Sequence, residues 1–263
     1  MKQRIITALI AIPIVFIVLY IGGIIAFLAT ACISTIGYLE YKKLLENNGI
    51  SVAKYAVIIA GIFILFLAYS SYSSYLLVMT ILGFFICIGS YVFNYKTGHL
   101  NDIVYTYIGF IYVYISFAYL LLILLKLEAG LYWIVLTFAL IWLNDTGAYL
   151  VGRKFGKHKL SMIISPNKTI EGAIGGIVTT IFTAYIFNIF IYHYMDIWMI
   201  IPFATIVAIL GIIGDLWESL LKREAGVKDS GNFFPGHGGV LDRMDSVLFV
   251  APFIYAFVVK IIS

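Results

Sequence analysis

From Ile5 to Leu39, and again from Tyr55 to Tyr95, the chain carries no Asp, Glu, Lys or Arg. Runs of this length exceed the roughly 20 apolar residues that one helix needs to cross a bilayer core, and they lack the short alternation of a barrel strand. The whole chain is 63% hydrophobic and 11% charged, against about 25% charged residues in an ordinary soluble domain. These features exclude a soluble globular enzyme and point to an all-α, polytopic transmembrane protein.

Gly22 and Gly23 mark the turn of an N-terminal hairpin built from Ile5–Leu39. The Tyr and Ser cluster from Tyr69 to Tyr75 divides the second run, because Ser and interfacial Tyr belong at a membrane edge. Further spans are expected at Ile103–Leu125, Leu131–Val151, Glu171–Ile191, Ile197–Leu221 and Asp245–Ile262, about nine in all. Lys2 and Arg4 before an apolar stretch resemble the start of a signal peptide, but the stretch outruns a normal h-region and continues into a second span, so it is expected to be retained. With a cytoplasmic N-terminus, all of the 17 Lys and Arg except Lys126 and Lys260 fall on the cytoplasmic side, as the positive-inside rule requires. One span more or fewer would put the richest basic segments on the wrong face. The expected setting is the cell (cytoplasmic) membrane, with an external C-terminus.

Cys32 and Cys87 each sit in an apolar run, so neither a disulfide framework nor a cysteine metal site is expected. No inverted repeat of the transporter kind is visible. The first five spans hold almost no ionisable group, whereas Asp145 to Asp245 concentrates them. The chain therefore divides into a scaffold of about five spans (1–126) and a catalytic region of about four (127–263).

Charges within a membrane span are expensive, about 2.5–3.5 kcal/mol at its centre on insertion scales, so those in or at the edge of a span default to a functional reading. Asp145, in IWLNDTGAYLVGRKFG, lies near the cytoplasmic end of the sixth span. Arg153, two helical turns on, could share its cleft; a plain ion pair with a nearby cation is the alternative. The next segment, KHKLSMIISPNKTIEGAIGG, mixes Lys157, Lys159, Ser165, Lys168 and Glu171 with glycines. Ser165 before Pro166 predicts a helix start, and a helix N-terminus beside Lys168 attracts phosphate. An ordinary cap in a positive-inside loop is the other reading.

The segment from Gly214 to Ser246, GDLWESLLKREAGVKDSGNFFPGHGGVLDRMDS, is the most informative. Asp215, Ser219, Lys222 and Arg223 fall on one helical face. Asp215 and Asp242 offer hard oxygen ligands that suit Mg²⁺ better than zinc. Glu218 and Lys222 read as a simple i,i+4 pair. The loop with Lys228, Asp229, Gly231, Gly236, His237, Gly238 and Gly239 lets backbone N–H groups approach a polyphosphate. Asp245 can be a structural carboxylate at a helix start, and His237 a hydrogen-bonding residue more readily than a general base.

From Ser219 to Asp245 the chain resembles the signature of the integral-membrane phosphatidate cytidylyltransferases (CDP-diacylglycerol synthases). Ser219, Lys222, Arg223, Lys228, Asp229, Gly231, Phe234, Pro235, His237, Gly238, Gly239, Asp242, Arg243 and Asp245 fill every fixed position of that pattern. Asn144, Asp145, Thr146, Ala148, Tyr149, Gly152, Arg153 and Gly156, then Ser165, Pro166, Lys168, Thr169, Glu171 and Gly172, are similar to the same family. The likeness is strong over the second half, and a long, irregularly spaced polar pattern is far more specific than a lone glycine motif.

The resemblance implies transfer of a cytidylyl group from CTP to phosphatidate, giving CDP-diacylglycerol and pyrophosphate in phospholipid biosynthesis. It implies Mg²⁺, with one or two cations left open, and a homodimer in the lipid bilayer; no nucleic-acid partner is expected. Asp215 and Asp242 are then the metal ligands, and they join Lys222, Arg223, Ser219 and Asp245 in the catalytic set. Asp145, Arg153, Ser165, Lys168, Glu171, Lys228, Asp229, His237, Gly238, Gly239 and Arg243 form the substrate-binding set. Four rival readings stand beside this one: an ion-coupled transporter of a phosphorylated solute, a CTP-dependent lipid kinase, a cytidylyltransferase acting on an ether lipid of another stereochemistry and, least favoured because it has no use for so dense a polar segment, a purely structural membrane protein. A transporter would place its charges near the midplane and reach them from both faces.

Overall fold

The structure is a computed structural model that describes residues 2–70, 74, 76–92, 99–190 and 194–262. Lys96 and most of the Tyr and Ser cluster at 69–75 lie outside the described residues, and of Lys2 and Arg4 only the backbone is described. Helices dominate, and among the described residues six are long and apolar enough to cross a membrane. Two further apolar helices, Tyr55–Tyr69 and Leu76–Val92, are shorter. Large side chains such as Leu77, Phe182, Phe190 and Trp198 stand exposed, a surface that suits lipid and would aggregate in water.

Contacts gather the chain into two compact units, one of Met1–Glu128 with Leu221–Met244, the other of Ala129–Leu220 with Asp245–Ser263. The first unit begins with α1 (Lys2–Ile21) and α2 (Gly23–Glu46). The chain breaks between them because Gly22 and Gly23 take φ of 63° and 53°, a region closed to most side chains. Then follow α3 (Tyr55–Tyr69), α4 (Leu76–Val92) and a long helix made of α5 (Leu100–Gly109), a π-helical stretch (Phe110–Ile115) and α6 (Ser116–Lys126). That long helix is the centre of the unit: 72% of its apolar stretch is buried, against 28–44% in the other long apolar helices described. Its own Phe110 and Tyr114 are fully buried, as are Tyr38 and Tyr41 of α2. Gly61, Gly83 and Gly109 lie against the rings of Tyr114, Phe110 and Tyr41 and leave no room for a Cβ. Asp102 caps the start of α5, accepting from His99 N at 2.9 Å, and holds Ser51 N at 3.2 Å.

The second unit contains α7 (Gly130–Phe155), a hairpin of β1 (Lys159–Ser161) and β2 (Ser165–Thr169), α8 (Ile170–Phe190), α9 (Ile197–Glu224) as far as Leu220, and α10 (Leu241–Phe257) from Asp245. The hairpin corrects one expectation: Ser165 and Pro166 open a strand, paired antiparallel with β1 at Ser161↔Ser165 and Lys159↔Thr169, and not a helix. Thr169 supplies the cap instead, its Oγ1 accepting Gly172 N at 3.1 Å. Strand pairing satisfies the backbone before that point, so the helix starts only where a side chain can take over.

Helices α7 and α8 approach almost backbone to backbone. A Cβ on Gly147 would strike Thr179, one on Gly175 would lie 2.5 Å from Val151 Cβ, and one on Gly176 would strike Asn144. Small residues at such a seam let helices gain close packing where lipid offers no hydrophobic drive to association. Gly172, Gly175 and Gly176 are thus packing residues of the α7–α8 seam. Gly175→Leu is expected to lower stability by about 1–3 kcal/mol through overpacking, read as a lower thermal midpoint in detergent; an unchanged midpoint would show that the seam is loose.

Candidate active site

Two clusters of polar side chains stand out, one in each unit. The first is built on the loop between α9 and α10. α9 ends in a Schellman-type cap, with Val227 N donating to Lys222 O at 2.9 Å and Gly226 N to Arg223 O at 3.1 Å. Gly226 makes this possible at φ 66°, the left-handed conformation such a cap demands. The chain then turns tightly at Phe234–Gly238: Phe234 N donates to Gly238 O at 2.9 Å and His237 N to Phe234 O at 2.8 Å. Arg243 clasps the turn by donating Nε at 2.9 Å and Nη2 at 2.6 Å to the His237 carbonyl.

Asp242 organises the loop. Its Oδ2 accepts Ser230 N, Ser230 Oγ and Gly239 N, all at 2.8 Å, and its Oδ1 accepts Lys222 Nζ at 2.8 Å. The pair is sheltered, the Asp242 side chain 7% exposed and that of Lys222 15%. A Cβ on Gly238 would fall 2.6 Å from Asp242 Oδ2, so this glycine makes space for the carboxylate as well as for any ligand. Both ends of the loop also meet Glu40 of α2, which the sequence reading did not single out. It accepts Val240 N at 3.0 Å on Oε1 and Leu241 N at 3.0 Å on Oε2, and Ser230 Oγ lies 3.2 Å from Oε2. Followed closely by Lys42 and Lys43, Glu40 reads in the sequence as one more interfacial charge; only its position near the end of an otherwise uncharged span hinted at more. The buried Nδ1 of His237 has no hydrogen-bond partner among the described residues.

The second cluster centres on Asp215 of α9. Its Oδ2 forms an ion pair with Lys168 Nζ, and its Oδ1 accepts Ser219 Oγ at 3.3 Å. Asp145, from α7, interacts electrostatically with both Asp215 and Lys168. Lys168 rides on β2, and Glu171 steadies the hairpin's base by accepting Lys157 N at 3.1 Å, His158 N at 3.2 Å and a contact to His158 Nδ1 at 2.6 Å. Glu171 is therefore a brace for the strand that carries Lys168. Of the other expected residues, Arg153, Arg223, Lys228, Asp229 and Arg243 are exposed, Ser165 opens β2, and Asp245 Oδ1 accepts Ser246 N at 2.7 Å.

Among the described residues no group of three His, Cys, Asp or Glu is placed to hold a metal. That does not conflict with Mg²⁺, which is commonly held by one or two carboxylates plus substrate phosphates. Asp215 fits this mode: it is a partly exposed carboxylate with a second acid, Asp145, in electrostatic range. Asp242 retains acceptor capacity only on Oδ1, beside Lys222, because its other oxygen already takes three donors.

Residues 2–261 match the profile of the cytidylyltransferase family. The chain is similar to a phosphatidate cytidylyltransferase of Staphylococcus saprophyticus, 37% identical over 99% of this chain and 100% of that protein. It is also similar to the protein of the same name from Staphylococcus epidermidis, 36% identical over 96% of each. A third, from Staphylococcus aureus, is 50% identical across 47% of each chain.

Proposed function

Because the chain belongs to the cytidylyltransferase family, we propose that it transfers the cytidylyl group of CTP to phosphatidate, releasing pyrophosphate and leaving CDP-diacylglycerol. The observation that carries this reading is the full-length likeness to proteins named for that reaction, supported by two lysine–carboxylate pairs, Lys222–Asp242 inside the Ser219–Asp245 motif and Lys168–Asp215 upstream of it in sequence.

A phosphatidate phosphomonoester already presents an anionic oxygen near neutral pH, so little general-base help is needed. Its oxygen attacks the α-phosphorus of CTP, the bond to the bridging oxygen of the β-phosphate breaks, and that oxygen leaves with pyrophosphate. Two polyanions must be aligned and the departing charge stabilised, which makes positioning and cation electrostatics the main sources of rate. Lys222, Arg223 and Lys228, with the N–H groups of the glycine loop, take the triphosphate. Lys168, Arg153 and Ser165 take the lipid phosphate, while Asp145 and Glu171 keep the lysine and its strand in place. Mg²⁺, with Asp215 and Oδ1 of Asp242 as its carboxylates, would neutralise the nucleotide phosphates. When Lys222 turns to a phosphate, the Asp242 Oδ1 lone pair to which it donates becomes free.

The same reading sets about nine spans, a cytoplasmic N-terminus and a site facing the cytoplasm, where CTP is available. Cysteine labelling of single-cysteine variants at the N-terminus and at Lys228 is expected to succeed only from the cytoplasmic side. A homodimer rests on the resemblance alone, and the protein's mass in detergent tests it. The direct assay is purified protein with radiolabelled CTP, phosphatidate and Mg²⁺. Labelled CDP-lipid and pyrophosphate are expected, with loss of the product on chelation by EDTA. CDP as the nucleotide product would instead mark a lipid kinase.

A further inference from the structure

We propose that Glu40 is a positioning residue for the glycine loop: a carboxylate from α2 that closes the start of α10 from outside and thereby fixes Asp242. The kinetic part of this inference rests on the cytidylyltransferase reading; the structural part does not.

A helix leaves its first N–H groups without intrahelical acceptors, and the residue just before the helix ordinarily supplies a side-chain oxygen. α10 begins at Leu241, and the residue before it is Val240, whose side chain has no oxygen. Glu40 fills that place, accepting both Val240 N and Leu241 N at 3.0 Å. It is 8% exposed, and a carboxylate withdrawn from water is stable only where donors replace its hydration. The helix N-terminus supplies favourable partial charge as well as donors.

Glu40 and Asp242 share the loop between them. Asp242 takes Ser230 N and Gly239 N, and Glu40 takes the next two amides at the far end. Ser230 Oγ lies 2.8 Å from Asp242 Oδ2 and 3.2 Å from Glu40 Oε2. Its single proton goes to the nearer oxygen, and the hydroxyl sits between the two acids. Gly231 and Gly239 complete the enclosure: a Cβ at either would collide with the Glu40 carboxylate. Two motif glycines thus owe their identity in part to a residue about 190 positions upstream. Removing Glu40 releases the amides of Val240 and Leu241, next in sequence to the Gly239 N–H that Asp242 holds, and so loosens the loop around Asp242.

The test uses full-length protein in detergent. In Glu40→Gln, hydrogen exchange at Gly239–Leu241 is expected to accelerate at least about tenfold while exchange in the α5–α6 helix is unchanged. In the cytidylyltransferase assay the KM for CTP should rise about tenfold or more, and the KM for phosphatidate should stay within about twofold. Glu40→Asp keeps the charge on a shorter stem and should recover part of the CTP affinity. Gln is nearly the shape of Glu, so a pure packing role would rank Gln above Asp and would overturn the proposal. Unchanged exchange, or a lower kcat with both KM values intact, would do the same. Should Glu40→Gln fail to fold, Gly231→Ala presses on the same carboxylate from the loop side and must raise the KM for CTP. If wild type makes no CDP-lipid yet Glu40→Gln frees the loop amides, the reaction assignment fails and the anchor stands.

Discussion

Asp215→Asn is expected to reduce Mg²⁺-dependent formation of CDP-diacylglycerol by at least about a thousandfold, the scale on which removal of a key electrostatic group slows catalysis, with little change in thermal midpoint. Asn keeps the shape and can still meet Ser219, but it loses the charge that pairs with Lys168 and would hold a cation. The ion pair is partly exposed, 30% on the Lys168 side chain and 25% on that of Asp215, and such pairs contribute little to net stability. Function and stability therefore separate at this position. The measurement is turnover against Mg²⁺ concentration in protein whose melting has been checked. Retention of full activity would remove Asp215 from the site, and a collapse in melting would show that it serves the fold.

Asp242→Asn should lose both properties. Four donors converge on this carboxylate, and an amide would turn an N–H₂ group toward at least one of them. It would also remove the carboxylate from the Lys222–Asp242 pair, whose side chains are 15% and 7% exposed. Breaking a buried pair by removing one partner costs about 3–5 kcal/mol. Lys222→Met is the informative contrast. It leaves Asp242 with its three N–H and O–H donors from Ser230 and Gly239, so stability should fall less than in Asp242→Asn. Activity should fall about as far, since the triphosphate loses a cation. Thermal unfolding and kinetics of the two variants side by side check this ordering. Equal stability losses would mean that the lysine, and not the loop amides, is what Asp242 chiefly holds.

The sequence made the general architecture legible because hydrophobic periods and charge placement are local. Unbroken apolar runs demand helices, and paired glycines between Ile21 and Ile24 stop one and start the next, as the backbone there confirms. The Lys222–Asp242 partnership was half visible: both residues stood in one dense motif, but no spacing along the chain joins them. Ser165–Pro166 misled for a related reason. A Ser-Pro pair satisfies the local rule for a helix start, but the backbone of this stretch finds its partners across a hairpin, so the cap moves to Thr169. Gly175 and Gly176 are likewise ambiguous in one dimension, where a glycine made for phosphate and one made for a helix seam look the same.

What the amino-acid order determined unaided was a helical membrane chain whose polar chemistry gathers in the segments around Asp145, Lys168 and the Asp215–Asp245 stretch. Hydrocarbon tolerates so few charges that their mere positions are informative. What only the tertiary structure decided was who holds whom: Lys168 with Asp215, Lys222 with Asp242, and Glu40 over the first amides of α10. Those pairings join residues 20 to 201 positions apart, and a hydrogen bond depends on a few ångströms of space that no spacing along the chain encodes.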